Sequence, residues 1–145
     1  VYNALVGSSD GTNFKLQLSS DNGSSYISSS DYGRAMMYGA HSNSNDSTTF
    51  YKTGASGTFK PAGAAIAIGA NNTEHLSGHI DMYNMRGSRG KAFNVFSVYS
   101  SSAGAGSFNY GTYFLDNTSI INNIKCLYHS GNIASGTISL YGVKS

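Results

Sequence analysis

The stretch Leu76–Ser100, LSGHIDMYNMRGSRGKAFNVFSVYS, reads as strand, turn, strand. Side chains along a strand point alternately to opposite faces, so residues two apart share a face. In Leu76–Met85 this puts Leu76, Ile80 and Met82 on one side and His79, Asp81 and Tyr83 on the other. In Lys91–Ser100 it puts Phe93, Val95 and Tyr99 on one side and Phe96 and Val98 on the other. Between them, Arg86-Gly87-Ser88-Arg89-Gly90 carries the small, flexible residues that reverse a chain. Neither half shows the three-to-four-residue spacing of a helix.

The same period continues outward. Asn13–Ser20 alternates with Phe14, Leu16 and Leu18 inward and Lys15, Gln17 and Ser19 outward, and it runs into Asp21-Asn22-Gly23, a hairpin signal. Tyr32–His41, Thr48–Thr53, Ala64–Ala70, Ser107–Asp116 and Ser119–His129 read as further strands. Ser42–Ser47 reads as a polar loop and Ala55–Gly63 as a turn-rich connection holding Pro61. Val1 opens in what reads as the middle of a strand. At the far end, Ser130-Gly131-Asn132 is a turn, Ser135-Gly136 a second corner, and Thr137–Val143 a closing strand expected to pair with Ile120–Tyr128. Strands with turn signals every 8–12 residues, no helix and no internal repeat predict an all-β fold. The expectation is an antiparallel β-sandwich, jelly-roll-like, of eight or nine strands. It spans residues 1–145 as one domain, the C-terminal part of a longer chain.

Composition agrees and narrows the function. Ser, Asn, Gly and Thr make up 66 of 145 residues, yet 39% of the chain is hydrophobic, with 11 Tyr and 7 Phe. That balance supports a packed core joined by many turns. Charged residues are 11% and the net charge is +2, scattered, which argues against a nucleic-acid binder needing a basic stripe. No apolar run is long enough for a membrane helix, so no membrane insertion is expected. Cys126 stands alone, which forbids an intrachain disulfide and suits a buried free thiol.

Three stretches carry a family resemblance. Ser130–Ser145 (SGNIASGTISLYGVKS), Leu16–Tyr26 (LQLSSDNGSSY) and Leu76–Asn84 (LSGHIDMYN) resemble segments of a jelly-roll-like domain that recurs in structural proteins of tailed bacteriophages, including tail and head fibres. The chain departs from that pattern at His79, where an acid is usual, and at Met85, where a proline is usual. The resemblance implies a virion location, no catalytic residues, a homotrimer, contact with other virion proteins, and attachment to a host-surface glycan. A capsid decoration protein binding the shell lattice is the alternative within the same family. A small polysaccharide depolymerase or a carbohydrate-binding module is the alternative outside it.

Ser19–Tyr26 fits the form S-x-D-x-G-x-S-Y, in which Asp21 accepts turn N–H groups and Asn22 and Gly23 take positive φ. A structural turn is the expected role, because a calcium loop needs more acids than the one present. The seven acids show no pair placed for glycoside cleavage. His75 and His79 share a strand face with Asp81, and His41 or His129 could join them as a zinc ligand, but histidines on exposed strand faces are more often ordinary polar residues, so these read as surface residues. No serine-nucleophile elbow occurs, and neither cofactor, metal ion nor enzymatic activity is expected. Arg86, Arg89 and Lys91 form the one basic cluster, suited to an acidic surface or anionic polysaccharide. Tyr51, Tyr110 and Tyr113 are the aromatic candidates for stacking on sugar rings.

Overall fold

The computed structural model describes residues 1–27, 32–42, 45–56, 59–62, 67–71 and 73–142; for residues 42 and 45–56 it describes the backbone alone. The described residues form ten strands and no helix. These are β1 (Tyr2–Gly7), β2 (Phe14–Ser19), β3 (Tyr32–Ser42), β4 (Asn45–Ser56), β5 (Phe59–Ala62), β6 (Leu76–Tyr83), β7 (Lys91–Ser100), β8 (Gly106–Leu115), β9 (Asn123–Tyr128) and β10 (Ile133–Ile138). They build two sheets: a seven-stranded one in the order β10-β1-β6-β7-β8-β3-β4, and a three-stranded one in the order β5-β2-β9. Every pairing is antiparallel. The class is the expected one, an antiparallel β-sandwich.

The core lies between the sheets, in two aromatic-rich clusters. In one, Leu16, Leu18 and Phe59 of the small sheet meet Tyr32, Met36, Phe93, Val95, Tyr113 and Leu115 of the large one. Phe59 is its hub, with ring centroids 4.2 Å from Tyr113 and 4.9 Å from Phe93. In the other, Phe14, Ala62 and Tyr128 meet Tyr2, Leu5, Leu76 and Tyr99. Each large apolar side chain taken out of water here contributes about 1.5–3 kcal/mol. Most of the buried polar groups described are paired, as a low-dielectric interior favours, with Ser107 Oγ an exception. The Pro61 carbonyl accepts from Ser97 Oγ at 2.8 Å and from Asn109 Nδ2 at 3.3 Å, and the Tyr2 hydroxyl meets Ser97 Oγ at 2.5 Å. Burial raises the Tyr2 phenol far above its ordinary value, so it stays a neutral donor.

Several strand assignments change. The closing strand is β10, residues Ile133–Ile138, and it pairs with β1 (Tyr2↔Ile138, Asn3↔Thr137), not with the preceding strand. That preceding strand, β9, pairs residue for residue with β2. Ile120 is correspondingly exposed, and Ile121 is the residue that enters the core. Phe59–Ala62 is a strand despite Pro61, because β5 is an edge strand of the small sheet, where a missing N–H is tolerated. Within the expected loop Ser42–Ser47, Ser42 ends β3 and Asn45–Ser47 begin β4, paired through Ser42↔Asn45; Asn43 and Ser44 lie outside the described residues. Ile68 makes only isolated bridges, to Thr12 and Ser101, and Ile66 lies outside the described residues.

Candidate binding surface

The small sheet covers one face of the large sheet, and no other described strand covers the opposite, open face. Four cross-strand rows define that open face. His79, Phe96, Tyr110 and Met37 align across β6, β7, β8 and β3, and Ser77, Val98, Phe108 and Gly39 form the row beside them. On the other side of the first row runs a small and polar one, Asp81, Asn94, Thr112 and Ala35, and beyond it Tyr83, Ala92, Phe114 and Gly33. Phe96 is 37% exposed, Val98 42%, Tyr83 49%, Phe114 51% and Tyr110 56%, whereas Phe93, Val95 and Tyr99 on the inner face are 4% or less. Isolated exposed hydrophobics are ordinary, but a contiguous set on one face marks a contact surface. Tyr110 and Phe114, four residues apart on one strand, stand about 13 Å apart with the polar row between them. The His79 ring lies 5.8 Å from that of Phe96, and Asn94 Nδ2 reaches the Tyr83 hydroxyl at 3.3 Å.

The β6–β7 turn borders the last of these rows. Asn84 takes positive φ (61°), and its Nδ2 donates to the carbonyls of Arg89 and Gly90, both at 3.1 Å. Gly87 N closes the turn on Asn84 O at 3.1 Å. From inside, the Lys91 ammonium donates to the carbonyls of Gly87 and Arg89, both at 2.7 Å. Lys91 is wholly buried, because it shares the inward phase of Phe93 and Val95. The tip of the Phe114 ring abuts Gly90, and a side chain there would push the ring aside.

The sequence candidates therefore separate. Arg86 and Arg89 are exposed on this turn, and Tyr110 stands on the open face. Lys91 is not a surface cation: it holds the turn from below. Nor is Tyr113 a surface aromatic. It is 1% exposed, its hydroxyl donates to Lys60 O at 2.5 Å, and burial pushes its pKa up to about 12. Tyr51 lies on β4, paired with Met36, and its side chain is outside the described residues. Tyr83, Phe96 and Phe114 complete the surface although they were not singled out as binding residues. The signal available for them was an aromatic at an outward position of an otherwise amphipathic strand.

Asp21, Asn22 and Gly23 form a turn, but not the expected hairpin: β2 pairs with β5 and β9, and the next strand, β3, belongs to the other sheet. Asp21 Oδ1 accepts from Ser19 Oγ at 2.6 Å and Ser25 N at 2.9 Å, and Oδ2 accepts from Ser25 Oγ at 2.6 Å. Ser19 Oγ in turn accepts from Gly23 N at 2.9 Å, which explains why Ser19 is buried rather than outward. Asn22 (φ 59°) and Gly23 (φ 87°) supply the left-handed backbone. Hydrogen bonds from Ser19 and Ser25 hold the Asp21 carboxyl down at about 2. Both carboxylate oxygens are thus spent within the turn.

Elsewhere, Cys126 is half-buried between the two core clusters, and burial raises its thiol pKa, which disfavours the reactive thiolate. Among the described residues no three His, Cys, Asp or Glu side chains gather as a metal-ligand set. No family model, curated protein or solved structure matches the chain.

Proposed function

We propose that this chain is a structural domain of a bacteriophage virion, a tail or head fibre, that attaches to a host-surface glycan through the open face of its large sheet. The observation that carries the attachment role is the alternation on that face: an aromatic row, a polar row and a second aromatic row. Sugar rings present apolar faces edged by hydroxyls. Tyr110, Phe96, Tyr83 and Phe114 offer flat apolar surface, and Asp81, Asn94 and Thr112 between them offer hydrogen-bonding groups. The virion assignment draws its support from the three stretches that resemble phage fibre domains.

The proposed protomer is one of three. Its support in the fold is a second apolar cluster at the outer end of the large sheet. There Ile138 is 45% exposed, Leu140 74% and Tyr141 75%, and Val1 is held beside them by the hydrogen bond from Ser139 N to Val1 O. Ile133–Gly142 contains no charged side chain. Edge strands of monomers are commonly guarded by lysine or proline, and β10 has neither.

A capsid decoration protein is the second reading, favoured by the wholly apolar pair Val98 and Phe108 on the open face, which suits a protein lattice as well as a sugar. The test is an array of bacterial surface polysaccharides probed with the purified chain and with the Phe96→Ala, Tyr110→Ala double variant. Both side chains are partly exposed, so the variant is expected to keep its melting temperature while retention on the array falls at least tenfold. Equal retention of the two proteins, or retention by none of the polysaccharides, defeats the glycan-binding role and leaves the decoration reading.

A further inference from the structure

We infer that the corner where the β6–β7 turn meets the Tyr83–Phe114 row is selective for an anionic saccharide, one bearing carboxylate groups. The inference rests on the glycan reading above and specifies the ligand's charge. Arg86 and Arg89 are both exposed on this turn, and among the described residues no ion pair joins either to an acid. Beneath them the buried Lys91 ammonium is met by the carbonyls of Gly87 and Arg89 rather than by a carboxylate. Carbonyl dipoles satisfy its hydrogen bonds but leave its net charge, so three positive charges stand within six residues of a turn that carries no acid. The acids at this end of the sheet are Asp81, one polar row away, and Asp116, just past the end of β8.

The turn is also pre-ordered. Lys91 ties down Gly87 and Arg89 from inside, and Asn84 ties down Arg89 and Gly90 from outside. Arg89 thus has its backbone carbonyl fastened twice while its guanidinium stays in solvent. A ligand engaging it has little backbone left to order, which lowers the entropic cost of binding. Guanidinium groups match carboxylates through two parallel N–H···O bonds, a geometry that neutral hydroxyls do not reproduce. Directly beside the turn, the half-exposed Phe114 ring, its tip against Gly90, offers an apolar surface to the sugar ring that bears the acid. Asp81 and Asn94 lie on the side away from the turn, where hydroxyls of the next sugar would fall.

The test uses three probes in calorimetric titrations at low salt: a hexasaccharide of mannuronic acid, the neutral hexasaccharide of mannose, and a short poly-glutamate peptide. The expected result is binding of the mannuronate at least tenfold tighter than of the mannose oligomer, weakening as salt is added. In the Arg86→Gln, Arg89→Gln double variant that preference should vanish while the neutral affinity stays. Both side chains are exposed, so circular dichroism and melting temperature should match the parent. Equal affinity for the two sugars, unchanged by the double variant, overturns the inference and leaves the glycan reading intact. Binding of poly-glutamate as tight as that of mannuronate also overturns it, in favour of an acidic protein partner. No binding of either sugar, together with no retention on the polysaccharide array, sinks both readings.

Discussion

Asp21 is exposed, yet its carboxyl is held at about 2, below its ordinary 3.8, by the hydroxyls of Ser19 and Ser25 and the Ser25 amide. Because the folded value is the lower one, the turn's contribution to stability is complete above about pH 4 and is lost as pH falls toward 2. Asp21→Asn should therefore melt below the parent at pH 6, and the gap between them should narrow steadily from pH 4 to pH 2. Thermal melts across that range decide it; a gap that stays constant means the carboxylate charge contributes nothing. This turn was readable from Ser19–Tyr26, since every partner lies within a few residues. Lys91 was misplaced for the opposite reason. Its phase with Phe93 and Val95 was visible, but a lysine goes inside only when acceptors meet it, and the carbonyls of Gly87 and Arg89 converge only once the turn has folded. Tyr113 likewise needs the Lys60 carbonyl, contributed from 53 residues away in the chain.

At the scale of elements, strands with clean alternation were legible: β2, β6, β7 and β8 fall within a residue or two of their expected limits, and Phe14, Leu16 and Leu18 of β2 face inward as expected. Pairing partners were not. The short link from β9 to β10 suggested a hairpin, but β9 belongs to the small sheet and β10 to the large one. A local sequence signal marks a turn without saying whether the chain stays in its sheet. β5 was hidden by Pro61 and by its four-residue length, yet it carries three buried side chains, Phe59, Pro61 and Ala62. It spans both core clusters, Phe59 in one and Ala62 in the other. Phe59→Ala should accordingly lower stability by about 3–5 kcal/mol, whereas Thr137→Ala on the exposed β10 should change it by less than about 0.5 kcal/mol. Denaturant titrations of both variants measure this. Comparable losses for the two would show that the edge strand, not β5, seals the sandwich.

For the whole molecule, the two apolar surfaces divide the proposed work. The open face of the large sheet is broad, aromatic and interrupted by polar groups, which suits a ligand with alternating apolar and hydroxyl-bearing surfaces. The cluster of Ile138, Leu140 and Tyr141 is small, uncharged and placed at the sheet's end, which suits a repeated contact between copies. The open face was not legible as a unit in the sequence, because it gathers residues from strands far apart in the chain; the smaller surface lies within Ile138–Tyr141, and only its neighbour Val1 comes from the far end of the chain. Val1 meets Ser139 only through the β1–β10 pairing. Association at one surface should amplify binding at the other, since three linked sites raise apparent affinity by about 10²-fold or more without any new contact. Leu140→Ser with Tyr141→Ser is then expected to convert a trimer to monomers in native mass measurements at micromolar concentration. Binding to single oligosaccharides should stay the same, while retention on a dense polysaccharide surface falls about 10²-fold. A parent chain that is itself monomeric under those conditions refutes the trimer. A variant that remains trimeric moves the contact between copies elsewhere on the sandwich, with the broad open face the next surface to mutate.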